Sequence, residues 1–196
     1  MEFFAGFFKQ VHSCLSHIDF QLLLDATDMI KATKAKDGRV WVIGNGGSAA
    51  MASHVSVDLT KAAGVRSQCF SDADMLTCFA NDYGYEYWVE KAVEFYAKEN
   101  DTVILISSSG RSPNIINGAI KARDMGLNVI TLSGFEPDNP LRKLGDINLY
   151  VPSKGYNIIE TVHQTWLLSI VDKIVGTVEY PASPPIKEPR RSQTLS

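Results

Sequence analysis

Apolar residues recur at helical spacing from about Phe7 to Ala35: Phe8, Val11, Leu15 and Ile18, then Leu22, Leu23, Ala26 and Ile30, all return to one face. The spacing predicts a long amphipathic N-terminal helix that ends before Asp37-Gly38. Its apolar face needs cover, either from the chain's own core or from a partner subunit. Beyond it the pattern changes to short apolar runs: Val40-Trp41-Val42-Ile43, Arg66 to Phe70, Thr102 to Ile106, Asn128 to Leu132 and Ile147 to Val151. Each reads as a strand. Between and after them, Ala49 to Ala62, Met75 to Asn81, Tyr87 to Glu99, Ser112 to Met125 and Ile158 to Val175 read as helices. Ser71-Asp72-Ala73-Asp74 offers an N-cap for the second of these helices, and Pro113 sits where a helix needs no N–H.

Apolar strands alternating with helices predict an α/β fold, a five-stranded parallel sheet flanked by helices in three α/β/α layers. We divide the chain into an N-terminal helix for packing or oligomerisation (1–36), an α/β domain (37–179) and a flexible tail (180–196). The tail carries Pro181, Pro184, Pro185 and Pro189, with too few apolar residues to order itself.

Composition narrows the function classes. In 196 residues, 45% are hydrophobic and 21% charged, which suits one soluble domain with a sizeable core. A net charge of −3 gives no electrostatic support for nucleic-acid binding. Cys14, Cys69 and Cys78 lack metal or disulfide spacing and read as reduced thiols. The apolar N-terminus lacks a basic start, and no run approaches the ~20 apolar residues of a membrane span. A cytoplasmic location without membrane attachment is expected.

The chemistry begins at Gly44-Asn45-Gly46-Gly47-Ser48, a glycine-rich turn between a buried strand and a helix. Glycines allow close backbone approach to an anion, and a helix N-terminus supplies N–H groups and a positive dipole. A P-loop reading fails, since no lysine lies between Gly38 and Lys61. The dinucleotide fingerprint does match at Gly44, Gly46 and Ala49. It also wants an acidic residue roughly 20 positions on, and Asp72 comes late. A second domain to hold a hydride acceptor is missing, so no nucleotide cofactor is expected.

The second turn, Ser107-Ser108-Ser109-Gly110-Arg111-Ser112, again precedes a helix. One serine would cap that helix, whereas four exceed the need. Two such turns at the carboxyl ends of parallel strands would meet in one crevice. Hydroxyls and N–H groups there suit a sugar phosphate dianion.

Together these turns resemble the phosphosugar-binding turns of SIS (sugar isomerase) domains. Asn81-Asp82-Tyr83-Gly84, and the strand end Val151-Pro152-Ser153 before the last helix, are similar to the phosphoheptose isomerase branch. The resemblance spans roughly Phe7 to Val175. It implies that the backbone around Asn45, Gly46 and Gly47, with Ser48, Asn81, Asp82, Ser107, Ser108, Ser109 and Ser112, holds the substrate. It also implies a catalytic base and a metal site at positions matching His54 and Asp58, which share one helix face.

Three departures stand out. The family usually has Glu at Asp58, Gln at Glu160, and a second catalytic His at Leu168. His163 matches a different family histidine and reads as structural. Glu160 joins the candidate catalytic and substrate-binding residues, and His54, Asp58 and Glu160 form a candidate zinc set. Two functions follow from the resemblance. One is an aldose–ketose isomerase acting on a substrate such as sedoheptulose 7-phosphate, for surface-polysaccharide precursors. The other is a non-catalytic phosphosugar-binding regulator or assembly protein. Relatives of that second kind, including one that binds a bacterial replication initiator, also lack the second histidine. A homo-oligomer, dimer or tetramer, is implied as well.

Overall fold

The structure, a computed structural model, describes residues 1–180; the expected tail lies almost wholly outside them. Five strands form one parallel sheet: β1 (Val40–Gly44), β2 (Ser67–Cys69), β3 (Thr102–Ser107), β4 (Asn128–Ser133) and β5 (Ile147–Tyr150), in the order β2-β1-β3-β4-β5. Among the described residues seven α-helices accompany them: α1 (Glu2–Leu15), α2 (Phe20–Ala35), α3 (Gly47–Lys61), α4 (Ala73–Tyr83), α5 (Trp88–Tyr96), α6 (Pro113–Asp124) and α7 (Tyr156–Val175). A short 3-10 turn, Leu141–Lys143, precedes β5. The expected three-layer α/β/α architecture is what forms. Among the described residues no helix is long and apolar enough to cross a membrane.

Strand alternation explains the layers. Val40, Val42, Ile104 and Ile106 face the core shared with α2, α3 and α7, while Trp41, Ile43, Val103 and Leu105 face α5 and α6. Successive residues of a strand point to opposite faces, so these fully apolar strands are buried on both sides.

The N-terminal segment differs from expectation. It is two helices rather than one, because the backbone leaves the helix at Ser16 and Asp19 caps the next one, its Oδ1 accepting from the Gln21 N–H at 2.9 Å. A cap side chain competes with continued helical hydrogen bonding. The break turns Ile18 into the core. Phe7, Val11, Cys14 and Leu15 pack on the protein's own core, yet Phe3, Phe4 and Phe8 stay exposed.

At the N-terminal end of the sheet, the buried carboxylate of Asp101 joins three segments. It accepts from the Arg39 N–H at 2.7 Å, the Trp41 indole N–H at 2.9 Å and the Lys98 N–H at 2.9 Å. The sheet is thereby anchored at the end opposite the site.

Candidate functional site

The chain continues from β1 to one side of the sheet and from β3 to the other, which makes the gap beyond their carboxyl ends the switch point of the fold. Gly44 and Ile106 are register partners, so the two sequence-predicted turns leave the sheet side by side. The backbone of the first turn depends on Gly46, whose φ of +55° disfavours any other residue type. Gly47 stands beside Glu160: a Cβ there would meet the carboxylate at the movable end of that side chain.

A polar crevice of about 130 Å³ results, lined by Asn45, Ser48, Ser107, Ser108, Ser109, Ser112, Tyr156 and Glu160, with Ile106 at its base. No Lys or Arg is among these lining residues. Ser107 and Ser112 hydroxyls pair at 3.0 Å, and Ser109 Oγ accepts from the Arg111 N–H at 3.2 Å. Ser108 Oγ is buried without a partner among the described residues. A buried hydroxyl left unpartnered costs roughly 1–3 kcal/mol.

Asn45 has a role that its position in the turn did not reveal. Its side-chain amide exchanges two hydrogen bonds with that of Asn114, at 3.0 and 2.9 Å, and its Oδ1 also accepts from the Tyr85 hydroxyl at 3.4 Å. Asn114 stands in the first turn of α6, so this pair locks the two turns together. Any contact of Asn45 with a ligand falls mainly to its backbone.

Along α3, six residues beyond Ser48 and so about 9 Å further on, His54 Nε2 lies 3.2 Å from Asp58 Oδ2. On the facing helix α7, Glu160 lies against Gly47, and Gln164 Nε2 lies 3.0 Å from His54 Nδ1. The crevice and the His54–Asp58 pair thus both lie along the line where α3 meets α7. Gln164 was missed by sequence reasoning, although its position one turn after Glu160 puts it on the same stripe.

His54, Asp58 and Glu160 do not form a metal group within the protomer. Among the described residues no three His, Cys, Asp or Glu side chains stand together as one could require. A catalytic zinc takes about three protein ligands, so the donor set falls one short. Asn81 and Asp82 also stand apart from the crevice: they lie on α4, hydrogen-bonded to each other at 2.9 Å. Leu168 is partly buried and packs against the core.

His163 is fully buried, as its structural reading expects. Its Nε2–H donates to the Ser133 carbonyl at 3.1 Å, and Nδ1 has no partner among the described residues. Burial pushes its pKa from 6.5 down to about 4. The unfolded chain therefore takes up this proton near pH 6.5, the native state only near pH 4. Stability is full above that window and falls by up to about 3 kcal/mol as the pH drops through it. His163→Phe is expected to flatten this slope in urea denaturation between pH 7 and about 4.

A three-layer α/β/α domain with paired glycine- and serine-rich turns at its switch point is the architecture of SIS domains. Residues 6–134 match the SIS domain, and the chain belongs to that family. The resemblance read from the two turns is borne out. Among its relatives, the phosphoheptose isomerase of Helicobacter hepaticus is 38% identical over 144 residues, covering 70% of this chain and 73% of that protein. The phosphoheptose isomerase of Helicobacter pylori is 33% identical over 149 residues, covering 73% and 77%. The solved structure of phosphoheptose isomerase GmhA from Neisseria gonorrhoeae matches with a TM-score of 0.81 at 27% identity, over 88% of this chain and 96% of that one.

Proposed function

We propose that the protein is an aldose–ketose isomerase of a sugar phosphate, with sedoheptulose 7-phosphate as the substrate its phosphoheptose isomerase relatives suggest. The observation that carries the reading is the unpartnered Ser108 hydroxyl, buried among Ser107, Ser109 and Ser112 at the start of α6. Neutral donors converging at a helix N-terminus suit a phosphate dianion. The sugar then extends along the line where α3 meets α7 towards Asp58, with Glu160 accepting from its hydroxyls.

In this proposal Asp58 takes a proton from C1 of the ketose while the C2 carbonyl oxygen gains one, leaving an enediol. Return of a proton to C2 and loss of one from the C1 hydroxyl completes the aldose. Incubation with sedoheptulose 7-phosphate, with and without zinc, tests the reading by following aldose formation. Turnover no higher than that of an Asp58→Ala control, with the ligand still bound, would sink it. That outcome supports the second reading, a non-catalytic phosphosugar-binding protein, which is favoured by one observation: an apolar, packed Leu168 where the resemblance implies an acid.

We further infer a cytoplasmic homo-oligomer, a dimer or tetramer. The crevice is smaller than the roughly 300–1,000 Å³ of complete small-molecule sites. Exposed Phe3, Phe4 and Phe8 on α1 are an apolar surface suited to a second copy, and α4, which packs Met75, Leu76 and Phe79 on the core, buries no residue completely within the protomer. Asn81 and Asp82 stand on that helix, so their contact with substrate rests on the assembled protein. Light scattering at micromolar concentration is expected to give two or four protomer masses; a monomer mass would overturn the inference.

A further inference from the structure

Tyr156 is the one aromatic residue that lines the crevice, and the one exposed residue among those that do; the others are buried or half-buried. It opens α7 and is 58% exposed, so it stands at the rim. Its ring meets that of Phe135 edge to face, with centroids 4.9 Å apart and planes at 62°. Phe135 is pinned on both sides: its N–H donates to the Ser153 carbonyl at 2.8 Å, and its carbonyl accepts from the Tyr150 hydroxyl at 2.8 Å. Its φ of +56° is a conformation that a bulky side chain seldom adopts.

The same short segment carries the serine turn. Gly134, just before Phe135, donates its N–H to the Ser108 carbonyl at 2.8 Å. Ser153, which accepts from Phe135, also accepts through Oγ from the Gly155 N–H at 3.1 Å, immediately before Tyr156. The serine hydroxyls and the aromatic ring are therefore fixed relative to each other through two adjacent residues, Gly134 and Phe135.

We propose that Tyr156 is a specificity-determining residue: its ring covers the carbons next to the bound phosphate, so that the site selects a phosphate ester of a polyol chain over phosphate itself. This rests on the reading of the crevice as the phosphate site. At about 130 Å³ the crevice is smaller than the roughly 300–1,000 Å³ of complete small-molecule sites. It takes one end of the ligand, and the remaining carbons must leave past the rim. Ile106 lies at the base and the serines offer hydroxyls. At the rim only the Tyr156 ring presents a flat apolar face, which suits the C–H groups of a sugar chain. A phosphate ion has no such group and gains nothing from the ring. A solitary exposed aromatic residue needs no function. One that lines a polar crevice, braced by a neighbour held in a sparsely populated backbone conformation, is placed there by the surrounding structure.

Calorimetry on the full chain tests this with two probes, inorganic phosphate and heptitol 7-phosphate, the reduced sugar that has no carbonyl to isomerise. The wild type is expected to bind the heptitol phosphate more tightly than phosphate. Tyr156→Ala should weaken the heptitol phosphate about 10-fold and leave phosphate unchanged, while Tyr156→Phe, which keeps the ring, should bind both as the wild type does. In the wild type, NMR should show contacts between the Tyr156 ring protons and the protons on the two carbons nearest the phosphate.

An equal loss for both probes in Tyr156→Ala, or no loss for either, would overturn the proposal. A Tyr156→Phe variant as weak as Tyr156→Ala would assign the contact to the hydroxyl and overturn the role of the ring. A light-scattering mass altered in Tyr156→Ala would assign the ring to contact between copies, with the same consequence. Should Tyr156→Ala fail to fold, the wild-type NMR contacts decide. Should the wild type bind neither probe, the phosphosugar reading of the crevice falls and this proposal with it; binding of both with an unchanged ratio in Tyr156→Ala removes this proposal alone.

Discussion

Asp58→Asn is expected to lower kcat for sedoheptulose 7-phosphate by about 10²–10⁴-fold, the range typical of losing a general base. That corresponds to about 3–5 kcal/mol of barrier. The substitution keeps the size of the side chain and its contact with His54 Nε2, yet an amide cannot take up the C1 proton. Asp58 lies on α3 beyond the crevice that meets the phosphate, so binding should persist. Steady-state kinetics with calorimetric measurement of binding separates the two effects. A variant that binds and turns over at the wild-type rate would remove Asp58 from the role of base.

The largest stability effect is expected at the other end of the sheet. Asp101→Ala leaves three donors, the Arg39 and Lys98 backbone N–H groups and the Trp41 indole N–H, without their shared acceptor. Each stranded buried donor costs roughly 1–3 kcal/mol. Water can reach some of them, which brings the expected loss to about 3–5 kcal/mol, a large part of the roughly 5–15 kcal/mol that holds a domain folded. Trp41 adds to the effect because its ring, stacked on Phe70 at a centroid distance of 4.6 Å, is held in place by that indole bond. Urea denaturation should show a lower midpoint at an unchanged slope. The ligand affinity of the folded fraction should stay near that of the wild type, since Asp101 lies opposite the crevice. A wild-type midpoint would mean that the three donors find other acceptors.

Much of the fold is legible in the order of residues along the chain. The apolar runs Val40-Trp41-Val42-Ile43 and Val103-Ile104-Leu105-Ile106 are enough to predict strands buried on both faces, because side-chain direction in a strand repeats every two residues. The spacing of His54 and Asp58 places them on one face of α3 for the equivalent reason in a helix. The break before α2 is harder to see. The apolar period runs on across Ser16 to Asp19, and only the cap formed by the Asp19 carboxylate ends the register. Periodicity reports which face is apolar and is blind to whether the backbone between two such stretches remains helical.

The site divides along the same line. The strands, the glycine- and serine-rich turns at their ends and the His54–Asp58 pair are each encoded within a few neighbouring residues, by backbone geometry and local spacing, and so are readable from the chain alone. Which groups meet across the fold is a matter of three-dimensional packing. It joins Asn45 to Asn114 over 69 residues and His54 to Gln164 over 110. It puts Glu160 against Gly47 and leaves Asn81 and Asp82 on a helix outside the crevice. These outcomes depend on how α3, α6 and α7 lie against the sheet. That packing is set by the sum of many buried apolar contacts, and no short stretch of the chain carries it.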